Sequence, residues 1–274
     1  VTAQVRRVFS LLGGSKIAAG HLGTLDPAAS GVLPIALGKA TRLIPLIEDR
    51  RKVYVCTLVL GRSTTTGDAL GENVRETPIP PDAPGLFESV LPRFLGAIEQ
   101  IPPMFSAVHY AGKRLYDFAR DGITVDRKPR TAIIHEVRLL DANDEKSILR
   151  LRVACGEGTY IRTLCEDIGA AMGVAAHMGS LVREASGPFV LAKSATLEDV
   201  GARPLETLLG PESAISLPTV TLDARGSVDF CAGRAVCAGS PNSFGHVFVH
   251  DAVRGLIGIG ESHGSRIAPR KVLV

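Results

Sequence analysis

The chain's best-equipped stretch for chemistry is a glycine-rich loop around an aspartate. Residues 20–42 read GHLGTLDPAASGVLPIALGKATR, with Asp26 directly before Pro27 and with Gly20, Gly23 and Gly31 around it. Those glycines let the backbone turn sharply and approach another molecule closely. Pro27 fixes its own φ and biases Asp26 toward an extended conformation. An apolar run, Val32 to Leu37, follows. A carboxylate on a rigid loop above an apolar base is placed as a nucleophile would be. The competing reading is a Thr-Leu-Asp-Pro turn whose carboxylate caps local backbone, and spacing alone favours it.

Residues 20–42 resemble the active-site motif of the TruB family of pseudouridine synthases. The family pattern is close to G-H-x-G-T-L-D-P-x-A-x-G-V-L-P-x-x-x-G-x-A-T, and this chain matches it at nearly every fixed position. Four further segments agree in order and spacing: the Tyr54 strand KVYVCTLVL, TTTGDALG with Asp68, QIPPMFSAVHYAGKRLYDFAR, and GEGTYIR with Tyr160 and Arg162. Leu181, in GSLVRE, falls where the family offers a hydrophobic contact. The resemblance runs from about Val1 to Gly187. Beyond it, GLIGIGESHGSRIAPRKVLV looks like the end of a PUA-type RNA-binding domain. Leu22 and His109 depart from the pattern, at positions where small or polar residues and Lys are common. The strand K-P-x-G-x-T-S, which usually opens the family's sequence, is missing, so the Lys in it has no counterpart here. The chain starts at Val1 and is expected to lack its natural N-terminus.

The resemblance implies isomerisation of uridine to pseudouridine in the T-loop of tRNA, at uridine 55. The reaction breaks the N1–C1′ bond, turns the uracil and rejoins it through C5. It involves no net redox change, so no cofactor is expected. It needs a nucleophile and a base taken out of its stack. Asp26 takes the nucleophile role, and Arg162 is its expected partner, keeping the carboxylate charged and aimed. Tyr54 is a platform for the flipped uracil. Tyr160, Leu181, His21 and Asp68 are expected at the substrate. Each has a plainer reading: core packing for Tyr54, Tyr160 and Leu181, a loop histidine for His21, a turn residue for Asp68 and a surface helix-start arginine for Arg162. Two apart on an extended segment, Tyr160 and Arg162 would face one side.

Basic residues cluster at 50–52, at Lys113 and Arg114, and at Arg127, Lys128 and Arg130. Such clusters are ordinarily solvated surface. Flanking a glycine-containing loop with Tyr110 and Tyr116, the second and third are expected to clamp the RNA backbone. The expected partner is the tRNA T-stem-loop, bound by a monomer with no guide RNA and no membrane. Two rivals remain. One is a guide-RNA-dependent synthase of the dyskerin kind, against which the contiguous GVLPIALGKATR speaks. The other is a silent RNA-binding or tRNA-folding protein on the same fold.

The elements that must hold these residues are legible from periodicity. Apolar residues at Val5, Val8, Phe9 and Leu12 predict a helix over 2–12, ended by Gly13-Gly14. Residues 39–47 also read as a helix. Residues 52–60, 130–140 and 147–155 alternate like strands. Residues 62–73 read as a polar loop, 86–95 and 115–120 as helices, and 160–172 as an amphipathic helix after a turn. A short strand is expected near Val108 and Tyr110. Without a βαβ rhythm, the fold class is α+β, with the synthase catalytic domain on a mainly antiparallel mixed sheet. Short β-like runs after about 218 read as a small all-β module. The division expected is 1–212 catalytic and 218–274 PUA-like.

Composition sets the outer limits. The 274 residues are 45% hydrophobic and 22% charged, ample for a buried core. Aromatics are 5% and Trp is absent, so the core must rest on aliphatic side chains. The net charge of +3 permits a polyanionic partner without demanding one. Five scattered cysteines include no CxxC pair, and the histidines show no HExxH spacing, so no metal site is expected. Reduced thiols and the lack of a signal peptide or of an apolar run of about 18 residues suggest a cytoplasmic protein.

Overall fold

A computed structural model describes residues 1–143, 145, 147–237 and 244–274. The chain folds as two compact units interleaved in sequence. One holds Thr24–Val32 and Arg50–Lys193; the other holds Val1–Gly23, Leu33–Asp49 and Ser194–Val274.

The first unit is built on a seven-stranded sheet. Six strands lie in the order Phe189–Val190, Ala176–Ser186, Lys52–Leu60, Ile148–Cys155, Arg130–Ala142 and Gly96–Gln100, all antiparallel to their neighbours. The seventh, Ser30–Gly31, runs parallel to Ala176–Ser186. Alternation explains the centre of the sheet. Tyr54, Cys56, Leu58 and Leu60 are all buried, and Leu149, Leu151, Val153 and Cys155 repeat the pattern on the adjacent strand. The helices Ala83–Val90 and Ile161–Ala171 supply Phe87, Leu164 and Ile168 to the same core.

Several elements depart from the sequence-based expectation. The helix expected over 39–47 is a 3-10 helix, Gly38–Leu46, with Ile47 already extended after it. Pro45 inside it has no N–H to donate, and the Thr41 hydroxyl donates to the Gly38 carbonyl at 2.8 Å, which suits the tighter winding. The helix expected over 86–95 starts earlier, at Ala83. Asp82 caps it by accepting from the Gly85 N–H, and Pro84 sits in its first turn. The stretch 62–73 contributes strand Arg62–Thr64, paired with Asn73–Glu76. Strands Gly96–Gln100 and Ala176–Ser186 were not anticipated at all.

In the second unit, helix Thr2–Leu12 buries Val5 and Phe9 as its periodicity predicts. Strands Ala19–His21 and Ile35–Leu37 pair antiparallel. The C-terminal part holds a five-stranded sheet over the core of Val247, Val249, Ile257, Ile267 and Phe230. It is β-rich but not all-β. Helix Ala224–Cys231, capped by the Asp223 carboxylate accepting from Gly226 N–H at 2.7 Å, inserts the fully buried Phe230 into that core.

No helix among the described residues is long and apolar enough to cross a membrane.

Candidate active site

The Asp26 loop is an irregular excursion fixed at its far end. The Ala29 N–H donates to the Asp26 carbonyl at 2.9 Å, closing a turn through Pro27. Ser30 and Gly31 then join the sheet beside Val182 and Arg183. Gly31 has φ 106°, and a Cβ there would lie 2.2 Å from the Arg183 carbonyl oxygen. Only glycine fits both demands.

Arg162 meets this loop from below. Its Nε donates to Asp26 Oδ2 at 2.9 Å, its Nη1 to the Thr66 carbonyl at 3.1 Å and its Nη2 to the Phe105 carbonyl at 2.8 Å. Its side chain is 5% exposed, against 34% for Asp26. The guanidinium is therefore locked by two carbonyls, and the carboxylate it holds faces outward. Arg162 is a helix-start arginine, as its plainer reading had it, but a buried one. It stands on the first turn of Ile161–Ala171, with Tyr160 at the N-cap, so the two do not share one extended segment as expected. Tyr160 keeps an extended backbone just before the helix winds.

Gln100 fixes that junction. Its Oε1 accepts from the Tyr160 N–H at 3.0 Å and its Nε2 donates to the Tyr160 carbonyl at 3.2 Å. The amide, 2% exposed, pairs with Tyr160 as a neighbouring strand would. Asp68 completes the buried charge cluster, with Oδ2 3.9 Å from Arg162 Nε. Its Oδ1 accepts from the Thr66 hydroxyl at 2.6 Å and from the Leu70 N–H at 3.0 Å. Asp68 is thus both the turn residue of its plainer reading and a neighbour of the Asp26–Arg162 pair.

The two tyrosines lie within the field of this cluster. Burial raises the Tyr54 phenol's pKa; the Arg183 charge pulls it back, and Asp26 pushes it up. Burial also raises Tyr160, with Ser106, Arg130 and Arg162 lowering it and Asp26 raising it. Both phenols are consequently neutral at physiological pH. Tyr54 and Leu181 belong to the main core, each 7% exposed, at neighbouring positions of adjacent strands. Asp26, Arg162 and Asp68 are therefore brought together, with Tyr54 and Tyr160 within electrostatic reach of Asp26.

His21 is exposed at the end of Ala19–His21, in the other unit. Lys113 and Arg114 are exposed on the second strand of a small hairpin. Lys113 stands over the Phe118 ring and Arg114 over the Tyr116 ring. Lys128 is exposed, while Arg127 is half-buried and donates to the Pro102 carbonyl at 3.0 Å. Sequence reading missed Arg183 and the role of Gln100. The signal for Arg183 was a lone arginine inside the β-like run SLVREAS. Among the described residues, no three His, Cys, Asp or Glu side chains are grouped to hold a metal.

The family model for the N-terminal domain of the TruB family of pseudouridylate synthases matches residues 10–161. Models described as the C-terminal domain of tRNA pseudouridylate synthase B and as the C-terminal part of pseudouridine synthase II TruB match residues 162–210 and 218–273. The chain is 40% identical to the tRNA pseudouridine synthase B of Pseudomonas putida (strain GB-1) over 99% of its own length and 90% of the relative's. It is 50% identical to that of Syntrophomonas wolfei over 65% of this chain and 60% of the other. Among solved structures, a Cbf5–Nop10–Gar1 complex contains a chain that superposes with a TM-score of 0.65 at 26% identity, covering 100% of this chain and 80% of that one. A family model that spans more than half the sequence, with relatives similar over almost its whole length, shows that the chain belongs to the TruB family of pseudouridylate synthases.

Proposed function

We propose that the chain isomerises uridine 55 in the T-loop of tRNA to pseudouridine, with Asp26 as nucleophile and without a guide RNA. The observation that carries this reading is the 2.9 Å Asp26–Arg162 pair, whose base is buried and whose acid faces outward. A carboxylate held by an immobile guanidinium keeps its charge and direction while a substrate approaches. The names of the relatives, tRNA pseudouridine synthase B, support tRNA as the substrate class. The similarity to them, closer than that to the Cbf5 chain, supports action without a guide.

In the reaction the N1–C1′ bond breaks, C5 bonds to C1′, the C5 proton leaves to solvent and N1 takes up a proton. The target base must leave its stack to expose C1′. Tyr54 offers a ring for the flipped uracil, with Leu181 as an apolar wall and Tyr160 beside the carboxylate. His21 contacts bases next to the flipped nucleotide. Lys113, Arg114, Arg127 and Lys128 hold the phosphate backbone. Residues 1–212 carry catalysis, and 218–274 form a PUA-like domain that adds RNA affinity.

The test is tritium release from C5-labelled uridine in a T-stem-loop RNA, with purified protein alone. Asp26→Asn keeps the shape of the side chain, and Arg162 retains its two carbonyl acceptors, so the fold is expected to survive. Release should fall by roughly 10⁴-fold or more while RNA binding is kept. Near-normal release would remove Asp26 as the nucleophile.

A further inference from the structure

We propose that Arg183 is the positioning residue of the nucleophile loop, tying both ends of the Asp26 segment to the strand that pairs with Tyr54. The proposal rests on the reading of Asp26 as nucleophile. Arg183 lies on Ala176–Ser186, directly opposite Tyr54 in the neighbouring strand, and is 0% exposed. Its Nε donates to the Val32 carbonyl at 2.7 Å and its Nη1 to the Thr24 carbonyl at 3.3 Å. Its own carbonyl accepts from the Val32 N–H at 2.9 Å. Thr24 and Val32 flank Asp26 on either side, so one guanidinium sets both the entry and the exit of the loop. Burial raises the pKa of the Tyr54 phenol opposite it, and the charge and hydrogen bonding of this guanidinium work against that rise.

The chemistry of the side chain fits the task. A guanidinium is a rigid planar fork with five N–H donors, able to reach two carbonyls at once. A lysine ammonium is a point charge on a flexible stem and cannot reproduce that span. If only packing mattered, an apolar side chain would fill the space without the desolvation cost of a buried charge. Gly31 belongs to the same device. Its missing Cβ lets the loop exit lie flat against the Arg183 backbone. Arg162 holds the carboxylate itself; Arg183 holds the backbone that carries it.

Arg183→Lys and Gly31→Ala, in the full chain, are the test. Both are measured for single-turnover tritium release, T-stem-loop binding and thermal unfolding, next to Asp26→Asn. For Arg183→Lys the rate constant at saturation should fall roughly 100-fold, as expected for a displacement of about 1 Å at the reacting group. RNA affinity should stay within about three-fold of wild type. With ¹³C-labelled tyrosine, the Tyr54 ring resonance should shift while those of Tyr110 and Tyr116 stay in place. Gly31→Ala displaces the loop exit with the guanidinium intact and should show the same loss of rate at kept affinity, so it decides the matter if Arg183→Lys does not fold. A folded Arg183→Lys or Gly31→Ala with a wild-type rate constant overturns the proposal. If Asp26→Asn is itself active, the nucleophile reading falls instead; if it is inert while Arg183→Lys is wild type, only the positioning role falls.

Discussion

The Asp26–Arg162 pair shows how a single contact is assembled from supports that carry no chemistry. Arg162 can aim Asp26 because Thr66 and Phe105 lend it carbonyls, and Tyr160 stands where it does because Gln100 pairs with its backbone. Removing the Gln100 carboxamide would leave the part-buried Tyr160 N–H without its acceptor, while the Tyr160 carbonyl would keep the Leu164 N–H as a donor. Gln100→Ala is expected to destabilise the protein by about 1–3 kcal/mol, read as a lower urea midpoint at unchanged m-value. The sequence announced Asp26, Tyr54, Tyr160 and Arg162 because each sits in a compact motif. Arg183, and the role of the Gln100 that heads QIPPMFSAVHYAGKRLYDFAR, stayed hidden for a physical reason. Their partners are backbone groups 151, 159 and 60 positions away, and main-chain atoms leave no trace in residue identity.

At the scale of elements, periodicity succeeded where one face of a strand or helix is apolar. The strand Lys52–Leu60 and the helix Thr2–Leu12 were legible for that reason. The edge strand Gly96–Gln100 is mostly exposed and shows no alternation, and Ala176–Ser186 buries His177, Arg183 and Ser186 among its apolar residues. The first offers no pattern to read, and the second only the short β-like run SLVREAS. The helix Ile161–Ala171 carries its own electrostatic load. Glu166, one turn beyond Arg162, has its proton affinity raised above the usual 4.5, first by burial and then by Asp167, against the pull of Arg162 and Arg127. A carboxyl raised in the folded state contributes stability that is present below the unfolded pKa and lost as pH rises through the folded one. Glu166→Gln should therefore raise the melting temperature at pH 7 and leave it nearly unchanged near pH 4. The difference between variant and wild type should grow with pH across that interval. A constant difference would mean that Glu166 is not titrating there.

For the whole molecule, a net charge of +3 is too small to explain RNA affinity, so the arrangement of cations must matter more than their sum. The hairpin carrying Lys113 and Arg114 turns through Ala111 and Gly112, both at positive φ, and its cations lie over aromatic rings that restrict them. Charge reversal of Lys113 and Arg114 together should weaken T-stem-loop binding and lower the slope of log affinity against log salt by roughly 1–2. An unchanged slope would place the backbone clamp elsewhere. The sequence foresaw the mixed α+β class and the β-rich C-terminal part, since both follow from local patterns. It did not foresee that the chain enters and leaves the sheet-bearing unit twice, because contiguity in sequence was all that periodicity could use.

That interleaving has a consequence for synthesis. The loop bearing Asp26 leaves the ribosome early, but the side chain that ties down its two ends lies 151 and 159 positions behind the residues it grips. At about 5–20 residues per second, the nascent loop waits roughly 8–30 s for its anchor. Closure of the Asp26 loop onto its strand is thus postponed until Arg183 has been made, and a truncated translation product ending before it would carry that loop untied.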